Sequence, residues 1–420
     1  MFCFYALYDK IYRPDILLRA YELVKEKGGS PVLDGRTFQQ IEREEGKQVF
    51  IDSLIEELKK HSYKAQSVKR VYIPKGKTDL RPLGIPTVKD RVVQMAAKLV
   101  LEPIFEADFS DNSFGYRPKR HAHQAMDAIT EALRFGFTEV IDADLSKYFD
   151  TIPHDNLLRT VAERVSDGAM LALLKQWLKA PIVEEQDGRY RIVGGGSSCS
   201  KGTPQGGVIS PLLANIYLNI LDRIWQRHEV EKCYGARLVR YADDMVILCR
   251  RGSEIPLSLL SKVLEKLELR LNVDKTVIVN AYEKPFGFLG FTVGMKRSER
   301  TGNYFPAVEP SEKSIVKIKD RVKWITRRHM TLVPMKDIVR MTNEVLRGWG
   351  NYFRYGNCFR VLRRIRTFCE NRIRIHLCYR HKIRSKISGF SKFPRSLLYN
   401  RLRLYLLEAK PLWKTVHALG

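Results

Sequence analysis

Long apolar runs are missing from this sequence: none approaches the roughly 18 residues that a membrane-spanning helix needs. The apolar opening Met1 to Tyr8 also lacks the basic flank of a signal peptide. A cytosolic chain with no membrane partner is therefore expected. Cysteine is scarce and scattered, with seven residues at 3, 199, 233, 249, 358, 369 and 378 and no CxxC pair. That pattern argues against a zinc site or a disulfide framework and for reduced thiols used in packing. Internal repeats are absent too. Acidic residues are in deficit, 47 Asp and Glu against 73 Lys and Arg, for a net charge of +26. Such an excess implies an anionic partner, and for a chain of 420 residues nucleic acid is the leading one.

The charge is unevenly spread. Residues 300–420 hold 28 Lys and Arg against 7 Asp and Glu, while the rest of the chain is nearly balanced. A mixed body followed by a very basic tail reads as a catalytic unit joined to a nucleic-acid-binding unit. Up to residue 65 the pattern is helical, with Ile16, Ala20, Leu23 and Val24 at helical spacing before a Gly28-Gly29-Ser30-Pro31 break. Val71 and Ile73 then alternate with polar residues ahead of Pro74, as an edge strand would. Val88 to Leu101 reads as a helix, and Ala122, Ala125, Ile129 and Leu133 stripe another that stops near Gly136. Strand signals recur at 139–145, 238–249 and 277–279. Beyond about 310 the chain turns helical, with stripes at Ile315, Ile318, Val322 and Ile325 and at Ile338, Met341 and Val345. The fold class is α+β, not a regular βαβ array.

Two acidic elements stand out. In Val140-Ile141-Asp142-Ala143-Asp144-Leu145 strand alternation puts both carboxylates on one face. Alone, they read equally well as solvated. Arg240-Tyr241-Ala242-Asp243-Asp244-Met245 lies between two short apolar strands and reads as a tight acidic turn. A surface turn is the commoner meaning of Asp-Asp, because Asp tolerates turn geometry. Together, however, an acidic strand and an acidic hairpin about a hundred residues later supply carboxylates for two Mg²⁺ ions about 3.5–4 Å apart, as in nucleotidyl transfer. Lys201-Gly202-Thr203-Pro204-Gln205-Gly206-Gly207 is a glycine-rich loop ahead of a helix, for which Ser210 is the expected N-cap and Pro211 the first residue. By itself that loop is more often a turn than a phosphate site.

Asp-x-Asp followed by Tyr148-Phe149-Asp150, then Thr-Pro-Gln-Gly-Gly, then Tyr-Ala-Asp-Asp, in that order, resembles a reverse transcriptase. Ser113-Phe114-Gly115-Tyr116-Arg117-Pro118 resembles its bacterial group II intron branch. The likeness runs from about residue 16 to 356. It takes in Ile73-Pro74-Lys75, Arg81-Pro82-Leu83-Gly84-Ile85-Pro86, Leu271-Asn272-Val273-Asp274-Lys275, Phe288-Leu289-Gly290-Phe291 and Gly348-Trp349-Gly350-Asn351-Tyr352-Phe353. The resemblance implies a right-hand polymerase: a helical N-terminal extension of the fingers over 1–65, fingers and palm over 66–300, a helical thumb or maturase domain over 301–380, and a short basic segment over 381–420 that would bind DNA.

It further implies that Asp144, Asp243 and Asp244 are the catalytic carboxylates and hold two Mg²⁺ ions, for which Mn²⁺ can substitute, with Asp142 in support. Phe149 matches the bulky gate that selects deoxynucleotides. Lys75 and Arg81 match the residues that hold the triphosphate, Gln205 one lining the nucleotide pocket, and Lys275 a basic residue near the phosphates. In the tail, Val361, Ile365, Phe368, Arg372, Ile375 and Tyr379 fall at spacings of four and three, with arginines on other faces. Arg363, Arg364, Arg366 and Arg374, with Arg117, are the expected RNA contacts.

The expected partners are an intron RNA or other RNA template, a DNA primer or target, and deoxynucleoside triphosphates. Three departures from the family pattern bear on function. The chain stops at Gly420 without the paired cysteines and histidines of an HNH endonuclease, so second-strand cleavage is not expected. The segment Asp187 to Ser200 reads as a long flexible loop, and Gly76-Lys77-Thr78-Asp79 is poorer in glycine than usual. The rival functions are a splicing factor with a vestigial polymerase site, a reverse transcriptase recruited to defence or repair, and an RNA-dependent RNA polymerase. The complete carboxylate set argues against the first and Phe149 against the last.

Overall fold

Helices begin where capping and proline chemistry place them. The computed structural model describes residues 2–28, 33–75, 79–383 and 386–411, except the side chains of 75, 79 and 386–388. Gly29, Ser30, Pro31 and the Gly76-Lys77-Thr78 tip lie outside that set. Pro14 opens the helix Pro14–Glu26, which buries Leu17, Ala20, Tyr21 and Val24. The expected stripe is thus rotated, with Ile16 and Leu23 only at its margins. Thr37 and Gln40 form a reciprocal capping box at the start of Phe38–Glu44. No described helix is long and apolar enough to cross a membrane.

The chain divides into two compact units that do not follow its order: residues 1–121, 143–247 and 251–276 form one, and 122–142, 248–250 and 277–420 the other. In the first, four strands lie in the order Asp79–Ile85, Val68–Lys75, Ile182–Gln186, Arg189–Gly194. The strand Val68–Lys75 is therefore internal, not an edge. Only Val68 and Lys69 pair with Ile182 and Val183, however, so its later half has one open side, where Pro74 is tolerated.

Of the loop expected over Asp187 to Ser200, residues 187–194 are instead the turn and second strand of a hairpin, while 195–200 is a loop. Gln186 pairs with Arg189, and Asp187 and Gly188 both take positive φ, as a two-residue turn joining twisted strands demands. The helix Ser210–Arg227 is buried along most of its length. It starts one residue earlier than expected, with Ser210 as its first residue and Ile209 at the N-cap, and the Ser210 hydroxyl does not cap; it donates to the Pro204 carbonyl at 2.9 Å. The strands Ala236–Tyr241 and Asp244–Cys249 flank the acidic turn.

In the second unit, Glu139–Ala143 runs antiparallel to Val277–Asn280. A three-stranded antiparallel sheet follows from Phe286–Phe288, Phe291–Arg297 and Tyr304–Pro310, with the middle segment central. The helices Glu312–Ile325, Met335–Phe353 and Phe359–Arg380 then close on a core that includes Ile315, Ile318, Val322, Ile338, Leu346, Leu362, Ile365 and Ile373. On the last helix the buried face carries Leu362, Ile365, Cys369, Ile373 and Leu377, one position round from the expected stripe, and Tyr379 is exposed. The early helix Ala122–Arg134 joins this unit: Tyr355 donates to Asp127 at 2.6 Å, and His123 Nε2 lies 2.7 Å from the Tyr352 carbonyl oxygen.

Candidate active site

Alternation around the first acidic element is as the strand pattern requires: Ile141, Ala143 and Leu145 are buried, and Asp142 and Asp144 are partly open. Asp144 is fixed from two directions by the segment 270–275. The Asp144 carbonyl accepts from the Asn272 backbone N–H at 2.8 Å, and Ser146 donates to the Arg270 carbonyl at 2.9 Å. Its carboxylate Oδ2 accepts from Lys275 Nζ at 3.0 Å and from Asn272 Nδ2 at 3.3 Å. Sequence reading singled out Lys275 and passed over Asn272, whose signal was no more than its place in the Leu-Asn-Val-Asp-Lys string.

The acidic turn is bent at Ala242, which holds φ +59. Asp243 is half-buried and Asp244 exposed. The loop 112–116 grips this turn from beside it. Phe114 donates its backbone N–H to the Arg240 carbonyl at 2.9 Å, and Arg240 donates to the Asn112 carbonyl at 2.8 Å. Gly115 is packed so closely that a Cβ there would stand 2.3 Å from the Ala242 nitrogen. Tyr116 follows with φ +57, an uncommon conformation for an aromatic residue. Burial raises the Tyr116 phenol above its ordinary range, Asp243 adds to that rise, and Arg81 opposes it. Tyr116 thus stands within electrostatic reach of both the acidic turn and the strand carrying Arg81. One buried ring also senses the acidic turn. Tyr148, four residues past Asp144, is pushed well above the usual phenol range by burial, with Arg240 opposing and Asp243 adding.

On the other side, backbone bonds draw three expected nucleotide-contacting segments together. Thr203 donates to the Phe149 carbonyl at 2.7 Å, and Gly84 donates to the Gln205 carbonyl at 2.6 Å, three residues beyond the exposed Arg81. Gly206 has φ +114, and a Cβ there would meet the Gly84 oxygen at 2.6 Å, so only glycine fits. Gln94, unnoticed in the sequence, is buried beneath this loop and accepts from the Val208 N–H at 2.8 Å. Phe149 is half-buried, its ring edge-on to Tyr148. The Lys75 side chain lies outside the described residues.

The expected RNA contacts separate into two groups. Arg363 and Arg364 are exposed and, with Phe359, Arg360 and Thr367, line a broad open groove; Arg364 also pairs with Glu312 at 3.0 Å. Arg366 is half-buried. Arg117 and Arg374 point inward, and for these two the expectation of RNA contact is corrected. The Arg117 side chain is 3% exposed, bonded to Glu106 and to the Ser110 and Ser113 carbonyls. Arg374 donates to the Phe393 carbonyl at 3.0 Å and lies over the Phe390 ring. Both guanidiniums are used up in holding local chain segments.

Among the described residues no three His, Cys, Asp or Glu side chains form a ready-made metal cage. Mg²⁺ binds through one or two carboxylates and completes its shell with water and substrate phosphates. Asp144, Asp243 and Asp244 offer only hard oxygen donors, so their chemistry fits such an ion.

Comparison with known proteins gives the family. Residues 73–293 match the reverse transcriptase (RNA-dependent DNA polymerase) family, and residues 315–393 match the group II intron maturase-specific domain. Protein YkfC of Escherichia coli K12 is 36% identical over 302 residues, covering 63% of this chain and 77% of that protein. The group II intron-encoded protein LtrA of Lactococcus lactis is 28% identical over 446 aligned positions, covering 86% of this chain and 72% of LtrA. Nuclear intron maturase 4, mitochondrial, of Arabidopsis thaliana is 30% identical over 52% of this chain and 26% of its own length.

Proposed function

The chain belongs to the reverse transcriptases of the group II intron type, and from that premise we propose that Asp144, Asp243 and Asp244 are the carboxylates at which it adds deoxynucleotides to a primer. The observation that carries this reading is the acidic turn itself, bent at Ala242 and gripped by the loop 112–116, with Tyr148, four residues past Asp144 in the chain, within electrostatic reach of Asp243. When bound there, two Mg²⁺ ions, or Mn²⁺ in their place, supply the charge that activates a primer 3′-hydroxyl and stabilises the departing pyrophosphate.

The protein's own groups do the rest. Arg81 and Lys75 hold the triphosphate by forked and point charge respectively. Lys275 balances Asp144 and meets the phosphates. Gln205, on a loop whose backbone is fixed by Gly84 and Gln94, lines the nucleotide pocket. Phe149 closes the position a ribose 2′-hydroxyl would take. Residues 315–393, with the exposed Arg363 and Arg364, bind intron RNA and assist its splicing. In a bacterial cell this work belongs in the cytoplasm, at the nucleoid when target DNA is bound.

Extension of a DNA primer on an RNA template with Mg²⁺ and deoxynucleotides tests the reading directly. Folded protein that stimulates splicing yet extends nothing would overturn it. Phe149→Ala is expected to raise the relative use of ribonucleotides on the order of 10–100-fold, the equivalent of relieving a clash of about 1–3 kcal/mol. The ratio of kcat/KM for matched ribo- and deoxynucleotides reads it. The double change Arg363→Ala with Arg364→Ala is expected to weaken RNA binding and to flatten its salt dependence by about one to two phosphate contacts. Extension of a saturating primer–template should be unchanged, and binding isotherms at two or more salt concentrations decide the matter.

A further inference from the structure

A buried guanidinium is costly unless its donors are satisfied. Arg240 has no exposed side-chain surface. Its Nε and Nη2 donate to Asp222, and its Nη1 donates to Asn215 Oδ1 at 3.1 Å and to the Ala242 carbonyl at 2.9 Å. Asp222 and Asn215 both lie on the helix Ser210–Arg227 and are themselves buried. Asn215 in turn donates from Nδ2 to the Gly115 carbonyl at 2.7 Å. Arg240 and Asn215 thus join the carbonyl that immediately precedes Asp243 to the loop that grips the turn, with a helix as anchor. An apolar pair of similar volume would hold strand against helix equally well. It could not hold the Ala242 carbonyl.

We propose that Arg240, anchored by Asp222 and Asn215, is a positioning residue that fixes the Asp243 and Asp244 carboxylates for the metal ions; this rests on the reading of that turn as the reaction centre. Arg240 touches no reacting atom. It sets the direction of the backbone from which both aspartates project, as groups behind metal ligands commonly do. A lysine in its place carries the charge but not the fork, so it cannot serve Asp222, Asn215 and the Ala242 carbonyl together.

The test uses the full chain bound to an RNA template with a dideoxy-terminated primer and the next deoxynucleotide, titrated with Mn²⁺ and followed by electron paramagnetic resonance. Alongside it are measured the Mg²⁺ concentration for half-maximal extension of an ordinary primer and the thermal midpoint. Asp222→Asn and Arg240→Lys are each expected to weaken Mn²⁺ binding and to raise the Mg²⁺ requirement about 10–100-fold, with primer–template affinity unchanged. Should either variant fail to fold, the double variant Arg240→Met with Asp222→Leu decides, since it removes both buried charges together. It is expected to melt near the wild type and still to bind Mn²⁺ weakly. Wild-type Mn²⁺ affinity in any folded variant overturns the proposal, whatever its stability. Asp243→Asn serves as control: retained Mn²⁺ binding and extension there would overturn the reading of the turn as the reaction centre and the positioning role with it. Lost binding there, beside wild-type binding in the Arg240 and Asp222 variants, overturns the positioning role alone.

Discussion

Asp243→Asn should lower primer extension roughly 10³-fold or more while leaving the protein folded. The change keeps the shape of the side chain and removes a charged oxygen donor. Metal stabilisation of the transition state amounts to several kcal/mol, and each 1.36 kcal/mol is a factor of ten in rate. Folding should survive because the turn is held through the Phe114 and Asn112 backbone contacts and the Arg240 guanidinium. Single-turnover extension rates, with a melting curve beside them, make the comparison. Extension at the wild-type rate would remove Asp243 from the site and would break the assignment of its neighbours.

Gly115→Ala should be nearly as damaging, although it adds one methyl group and touches no substrate. The new Cβ would stand 2.3 Å from the Ala242 nitrogen and 2.8 Å from the Tyr241 carbonyl carbon, both backbone atoms that cannot rotate away. Overpacking of this kind costs about 1–3 kcal/mol when neighbours can adjust. Here the neighbour that must adjust is the acidic turn. The expected result is a modest fall in melting temperature with a disproportionate fall in kcat. Gly348→Ala supplies the contrast: nothing lies within 4 Å of its added Cβ, and its place inside the helix Met335–Phe353 favours alanine by up to about 1 kcal/mol. A Gly115→Ala enzyme with wild-type kcat would mean that the loop 112–116 does not govern the turn.

What could be read without coordinates was whatever short-range spacing encodes. Alternation through 140–145 placed Asp142 and Asp144 on one side of a strand, and two apolar runs around Asp243-Asp244 declared a hairpin. What could not be read depends on partners distant in sequence. Arg117 and Arg374 are expected at RNA, yet Glu106 and the Phe393 carbonyl turn them inward. Asn272 reaches Asp144 across 128 positions and Gln94 reaches Val208 across 114. Arg240 did leave a trace, an arginine between Leu238-Val239 and the acidic turn, as did Asp222 amid the apolar positions of its helix. The strand Arg189–Gly194 escaped notice for a different reason: nearly all of it is exposed, so it carries no alternation of burial to detect.

The interleaving of the two units has a consequence for how the chain comes into being. Residues 122–142 leave the ribosome well before their partners in 277–280 and 352–355 exist. The helix Ala122–Arg134 must wait, its apolar stripe uncovered, until more than two hundred further residues have been made, and contacts so distant in sequence close slowly. Cutting the gene near residue 300 would not yield two self-sufficient halves: the leading piece would carry the helix Ala122–Arg134 and the strands Glu139–Ala143, Val277–Asn280, Phe286–Phe288 and Phe291–Arg297, which belong to the other unit, and the trailing piece would lack them.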